Sequence, residues 1–396
     1  MSARFAITGL GIVSAAGHGI DATLAALRSG DSCLGALELF DSPRCGHFPV
    51  GEVRGFRPER GLPRTVGLAR LAMREALAQA DLGVLSEAES ESVGLCLGTC
   101  VGGMGETEPE VAQLLHGGDV DDEVWARHEC GATTARLAEE FGFFGPSMTL
   151  SSACSSSAQA LACGTELIDA GEASVVIAGG VDGLTHLTLN GFASLLAMDP
   201  EGCRPFDRER AGMSLGEGAA FCVLESESHA RARGVQPLAF LAGHGNTCDA
   251  HHPTAPEPEG RGAEAAMRLA LARAGWRPSE VDYVNAHGTG TRDNDLAEGR
   301  ALRRLFGEAL PPFSSLKGLF GHTLAAAGAI EAVLSVLALR EGFLPGNPRS
   351  GEIDPEIGCA PLRETVDASP RRILSNSFGF GGNNTVLCFE HAGETR

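Results

Sequence analysis

The stretch Ser147-Met148-Thr149-Leu150-Ser151-Ser152-Ala153-Cys154-Ser155-Ser156-Ser157-Ala158 runs from a strand into a small polar turn and out into an Ala-rich helix. The pattern predicts the strand over Ser147–Leu150 and the helix over Ser156–Ala170. A thiol on such a turn lies beside a helix N-terminus. The helix end favours a thiolate, and its free backbone N–H groups can hold a developing oxyanion. Outward from this stretch the same rhythm repeats. Strand-like runs at Phe5–Thr8, Ser92–Leu97, Ser174–Ala178, Ala219–Leu224 and Leu238–Gly243 alternate with helical stretches at Thr65–Ala80, Gly262–Ala274 and Leu324–Arg340. This is an α/β pattern with buried sheets.

Two halves of similar length and rhythm, divided in the Pro- and charge-bearing stretch Glu225–Pro237, suggest an internal duplication. The boundary is placed between residues 235 and 236. Gly30–Gly61 and Glu106–Glu129 are expected to be loop-rich insertions in the first half. Gly9-Leu10-Gly11 starts like a dinucleotide fingerprint but lacks its third Gly, so it is expected to be a tight turn. Gly98–Gly105 is not followed by Lys-Ser or Lys-Thr and is no phosphate-binding loop.

Composition narrows the function classes. A net charge of −20 opposes nonspecific binding to nucleic acid or an anionic membrane. No apolar run is long enough to span a bilayer, and the start lacks a signal-peptide pattern. Twelve Cys without paired ligand spacing fit a reducing cytoplasm and suggest neither a disulfide framework nor a metal site.

Three further segments carry candidate chemistry. Val281–Asn285 reads as a strand ending at His287-Gly288-Thr289-Gly290-Thr291, where the glycines would let a ligand approach and the hydroxyls would donate. Asn376-Ser377-Phe378-Gly379-Phe380-Gly381-Gly382 is a Gly-rich turn that can offer an N–H beside that of Cys154. In the third, Ser314-Ser315-Leu316-Lys317-Gly318-Leu319-Phe320-Gly321-His322, Lys317 is the single Lys among 31 basic residues. A chain that uses Arg everywhere else keeps Lys where a compact point charge is needed. His322 starts a long apolar helix, whose dipole disfavours imidazolium. Glu331, the one acid in that apolar stretch, needs a cationic partner, for which Lys317 is the candidate.

With these four motifs in order, the chain resembles the elongating β-ketoacyl-acyl carrier protein synthases, from Ile7-Thr8-Gly9-Leu10-Gly11 to Phe380-Gly381-Gly382-Asn383. The resemblance implies a thiolase fold: two fused halves of like topology in stacked αβαβα layers, with the site between them. It implies a homodimer, or a heterodimer with a related subunit, and an acyl carrier protein as partner, with no cofactor and no metal. Cys154 would carry the acyl group, and His287 and His322 would stabilise the enolate of decarboxylating malonyl. Lys317 and Glu331 would form a supporting pair that fixes the His geometry. Cys154 and Phe380 N–H groups would form the oxyanion hole, with Phe380 also a gate. Thr289, Thr291, Phe378 and Thr107 would bind substrate, and Arg60, Arg64 and Arg204 would dock the carrier. In the related thiolases a second Cys stands in place of His322, in initiating synthases an Asn, and chain-length-factor subunits lack the nucleophile. Cys, His and His together imply a competent enzyme rather than a non-catalytic partner subunit. One departure concerns the product, whether fatty acid, aryl polyene or polyketide. Glu106-Thr107-Glu108 stands where fatty-acid enzymes carry apolar pocket residues, so either the acyl pocket is polar or aromatic-accepting, or this segment points elsewhere.

Overall fold

The computed structural model describes residues 4–59, 61–83, 85–347 and 349–393. Within them the main strands are β1 (Phe5–Ser14), β2 (Val93–Gly98), β3 (Ser147–Leu150), β4 (Val175–Asp182) and β5 (Gly218–Ser226) in the first half. In the second half they are β6 (Ala239–Cys248), β7 (Tyr283–Asn285), β8 (Phe313–Ser314), β9 (Arg372–Gly379) and β10 (Asn383–His391). The hydrogen-bonded order is β3-β2-β4-β5-β1-β6-β10-β9-β7-β8.

That order mirrors itself about the β1–β6 junction. In each half two parallel pairings at the edge give way to two antiparallel pairings toward the centre. Within the sheet, among the described residues, the halves join through three residue pairs, Phe5↔Leu241, Ala6↔Phe240 and Ile7↔Ala239. The duplicated rhythm of the sequence is thus a duplicated strand topology.

Away from the exposed edge strand β3 and the strand ends, strand residues are buried on both faces, and the side-chain period of two assigns each to a layer. In β5, Ala219, Phe221 and Val223 join an outer core under the helix Arg64–Gln79, whereas Ala220, Cys222 and Leu224 join a central core. The central core is built on Ser156–Asp169 and Ala327–Glu341, and both helices pack against strands from both halves. A third core lies under Arg261–Ala274 and Arg292–Phe306. Helix, sheet, helix, sheet, helix is the αβαβα stack of a thiolase fold. The helix Ala327–Glu341 is buried nearly all round, which is why its sequence shows no polar stripe.

Two expectations are corrected. Gly9 and Gly11 lie inside β1, not in a turn. A Cβ on Gly9 would strike the carbonyl oxygen of Ala76, and one on Gly11 that of Ala72, so these glycines let the helix Arg64–Gln79 lie directly on the strand. Residues 106–129 are largely helical rather than looped, with helices at Met104–Leu115 and Asp122–Trp125. The acids that read as a polar loop sit near helix N-termini, where the dipole favours them.

Candidate active site

Cys154 sits where the sequence places it, in a short turn (Ala153–Ser155) between β3 and the central helix Ser156–Asp169. The turn is sharp: Ala153 has φ of 54°, and Ser156 Oγ ties it by accepting from Ser152 N–H (2.9 Å) and donating to Ala153 O (2.6 Å). Cys154 is 6% exposed. Burial pushes it up to about 12, and Cys100 adds to the rise, while Lys317 and the Phe380 N–H pull the other way. Burial is the largest of these effects and opposes the thiolate bias expected from the helix end, which the lysine favours.

β9 brings Gly379 against the nucleophile. A Cβ there would lie 3.1 Å from Cys154 N, so the two backbones run together and the Phe380 N–H faces the same sulfur. The Phe380 ring lies 5.6 Å from Phe192, and the buried Phe378 ring lies 5.8 Å from His287.

The second half delivers the two histidines. His287 follows β7, with its ring buried and 5.4 Å from that of His322 at an interplanar angle of 84°. Lys317 Nζ donates to the His287 carbonyl (2.6 Å) and lies 3.2 Å from His287 Nδ1, while its third contact is the carboxylate of Glu331. An ammonium has no lone pair, so His287 Nδ1 accepts and Nε2 carries the proton. His322 Nδ1 accepts from the Leu324 N–H (3.2 Å), which fixes the same tautomer, and its Nε2 has no hydrogen-bond partner among the described residues. Burial first, then Lys317, holds both rings well below the ordinary 6.5, and the neighbouring His322 lowers His287 further. Two neutral imidazoles therefore present N–H donors, not bases.

Lys317 and Glu331 do meet, 2% and 3% exposed, and burial pushes Glu331 up to about 7 against the pull of the lysine. The lysine, however, positions His287, not His322, whose backbone is held by Ser214 and Gly216.

A cavity of ≈ 490 Å³ collects Cys154, His287, His322, Thr289, Phe378 and Phe380; Thr291 also lines it. The glycines of the Gly-Thr-Gly-Thr loop serve the protein itself. A Cβ on Gly288 would meet Ser315 and Phe206, and one on Gly290 the carbonyl of Gly212.

Other expected site residues fall elsewhere. Thr107 is buried, bonded to His128 Nδ1 (2.7 Å) and to its own helix, and does not line this cavity. Glu106 accepts from Arg64 N–H (2.8 Å), and Glu108 accepts from His186 and Leu187 at the start of the helix His186–Ser194. The acidic segment thus caps helices and adds no carboxylate to this cavity, whose acids are Asp249 and Asp293. Arg64 is no docking residue: its buried guanidinium grips Glu217 at 2.5 and 2.8 Å. Arg204 is spent on Asp199 (3.0 Å) and Glu201 (3.2 Å). Arg60 lies outside the described residues.

Two buried acids were not anticipated. Glu298 accepts from His287 N–H (2.9 Å), Gly288 N–H (2.8 Å) and Asn376 (3.0 Å), and burial pushes it up to about 7. Asp182, at the end of β4, accepts from Thr99, Cys100, Val101 and Ala325, stitching the first half to the turn after His322.

The chain matches the β-ketoacyl synthase N-terminal domain model over residues 59–230 and the C-terminal domain model over 238–349. It is 35% identical to nodulation protein E of Rhizobium meliloti (98% of this chain, 100% of that one). It is 33% identical to 3-oxoacyl-[acyl-carrier-protein] synthase 2 of Staphylococcus aureus (98% of each). Among solved structures it superposes on the ishigamide ketosynthase/chain length factor with a TM-score of 0.93 at 32% identity (99% of this chain, 100% of that one). It superposes on the ketosynthase ApeO, in complex with its chain length factor ApeC, from Xenorhabdus doucetiae with 0.88 at 33% (98% of each). The fold, the convergence of Cys154 with two donor histidines, and these likenesses agree, and the chain belongs to the β-ketoacyl synthase family as an elongating acyltransferase.

Proposed function

We propose that this chain joins malonyl units to an acyl group carried on Cys154, taking both from acyl carrier protein. The observation that carries the reading is the pair of Nε2–H donors on His287 and His322, held neutral and facing the cavity that contains the thiol. Cys154 attacks the carrier thioester, releases the carrier thiol and becomes acylated. Malonyl-carrier then enters, and loss of CO2 places negative charge on its thioester oxygen. Two imidazole N–H groups stabilise that enolate without a proton-transfer step. Its α-carbon attacks the Cys154 thioester, whose oxygen leans on the N–H groups of Cys154 and Phe380. The bond to sulfur then breaks, giving the β-ketoacyl carrier and free Cys154. Lys317 and Glu298 act as positioning residues, one on the His287 ring and carbonyl, the other on its backbone N–H.

Thr289 and Thr291 fit the pantetheine arm, with hydroxyls 2.8 Å apart on the cavity wall. Phe380, packed on Phe192, fits a gate. The domain boundary at 235/236 lies between β5 and β6, where the mirrored strand order turns over. The open edge of β3, exposed from Ser147 to Thr149 beside the exposed Phe144, supports pairing with a second ketosynthase-like subunit. Twelve free cysteines support a cytoplasmic setting. The second reading, a non-catalytic subunit that only shapes a partner's pocket, is disfavoured by the complete Cys–His–His set.

The test is acyl transfer and malonyl-carrier decarboxylation by the purified protein, with the trapped acyl group identified on Cys154 by intact mass. A protein that neither acylates Cys154 nor decarboxylates malonyl-carrier is not a condensing enzyme.

A further inference from the structure

The rim of the Cys154 cavity carries an apolar pair that the fold itself does not use. The helix His186–Ser194 ends in a reversal in which Leu196 N–H donates to Ala193 O (3.0 Å) and Ala197 N–H to Phe192 O (3.2 Å). Such an ending puts one residue in the left-handed region, where Gly is favoured. Leu196 occupies it, at φ of 55° and 88% exposed, and the adjacent Leu195 is 55% exposed. A branched apolar side chain here gains no burial within the chain and strains the backbone. Both leucines border the mouth of the cavity that holds Cys154.

Elsewhere on the same rim is Arg292, the one Arg or Lys lining that cavity among the described residues. Its side chain is exposed and makes no ion pair among them; only its carbonyl is engaged, by Arg210. Other cations near the mouth are spent, Arg204 on Asp199 and Glu201, and Arg210 on Asp354. Phe192, one turn before Leu196, packs on Phe380, so the apolar rim is continuous with the proposed gate.

We propose that Leu195 and Leu196 form the docking surface for the acyl carrier protein, through apolar contact, while Arg292 takes the phosphate of its phosphopantetheine arm. This rests on the ketosynthase reading above, because only a tethered substrate must sit on the rim to reach Cys154. The partner presents an apolar residue beside the attachment site of its arm, and its affinity depends little on salt, since one cation rather than a basic patch faces it.

Acyl transfer to Cys154 is measured from three donors: acyl-carrier protein, acyl-phosphopantetheine and acyl-pantetheine. The variants are Leu195→Ser/Leu196→Ser, Leu196→Gly and Arg292→Ala. The Ser pair is expected to raise the carrier KM about tenfold or more relative to the KM for acyl-phosphopantetheine. Leu196→Gly relieves the backbone, so it is expected to melt at an equal or higher temperature and still raise the carrier KM, which a merely structural leucine would not do. Arg292→Ala is expected to raise KM for the two phosphate-bearing donors and not for acyl-pantetheine. The parent's carrier KM is expected to change less than about threefold between about 50 and about 500 mM salt. An unchanged carrier KM in the leucine variants, equal effects of Arg292→Ala on all three donors, or a carrier KM that climbs steeply with salt overturns the proposal while leaving the ketosynthase reading intact. Failure of every donor to acylate Cys154 overturns that reading, and this proposal with it.

Discussion

Lys317→Arg preserves charge and is expected to cripple condensation. The ammonium of Lys317 has three protons and three acceptors: the Glu331 carboxylate, the His287 carbonyl at 2.6 Å and His287 Nδ1 at 3.2 Å. One tetrahedral nitrogen can serve all three at once. A planar guanidinium cannot, because its N–H groups diverge in one plane from three nitrogens. The site leaves little room for a refit, since Lys317 is 2% exposed and Gly318 is already bounded by Asn347 and the Cys203 carbonyl. Arg will keep Glu331, because fork and carboxylate match, and will release or tilt the His287 ring. A lost hydrogen bond to a charged group is worth about 1.5–3 kcal/mol, and about 1.4 kcal/mol is tenfold in rate. The expected fall in condensation is therefore on the order of tenfold to a hundredfold. The assay is single-turnover condensation of acyl-Cys154 enzyme with malonyl-carrier, with acyl loading followed separately by intact mass. Loading should change little, because the lysine touches His287 rather than the sulfur. A variant that condenses within about twofold of the parent refutes the three-acceptor argument. One that loses loading and condensation together shows a collapsed site instead.

His287→Ala and His322→Ala should each retain acylation of Cys154 and lose about 10²–10³ in malonyl decarboxylation, the usual cost of one oxyanion-type donor; equal loss of both half-reactions would point to a histidine acting on the thiol. Since both imidazoles are held well below 6.5, decarboxylation by the parent should show no histidine titration between about pH 6 and about pH 8. Burial raises the Cys154 thiol toward 12, so its proton is retained through neutral pH and lost only as pH climbs. Iodoacetamide labelling should accordingly rise about tenfold per pH unit from about pH 7 to about pH 10, and a plateau below about pH 8 would show that the helix end and Lys317 win after all. Glu298→Gln replaces one acceptor oxygen with an NH2 that must face a backbone N–H, at a cost of about 1–3 kcal/mol; a lower melting temperature with reduced kcat and unmoved carrier KM is expected, and an unaltered kcat would remove Glu298 from the positioning network.

What the sequence disclosed and what it hid divide along one physical line. Apolar periodicity is a local signal, so β5 and the helix Ser156–Asp169 were legible within two residues, whereas β4 runs four residues past its expected end at Ala178, through Gly179 and Gly180, and the helix Ala327–Glu341 starts three residues after Leu324. Cys154, His287, Lys317 and His322 were legible because each sits at the end of a strand or the start of a helix, and such an end leaves a mark in the sequence. Pairings across the fold leave none. Glu298 lies in the charge-rich Arg292-Asp293-Asn294-Asp295-Leu296-Ala297-Glu298, where nothing local announces burial, yet Asp295 and Glu298 are 0% and 1% exposed. Arg64 reads as a surface cation because most arginines are, but Glu217, 153 residues away, draws it inside. Gly9 and Gly11 read as a turn because nothing nearby announces that a helix carbonyl will arrive. The lone lysine was readable as a demand for a small charge, while its target was not, since His287 and His322 are equally plausible along the chain and only the fold brings the ammonium under one ring. Charged groups at this site are therefore better understood as backbone clamps than as chemistry. Asp182, Glu298 and Lys317 each hold main-chain atoms next to a reacting group, and they can do so only because burial removes the water that would otherwise compete.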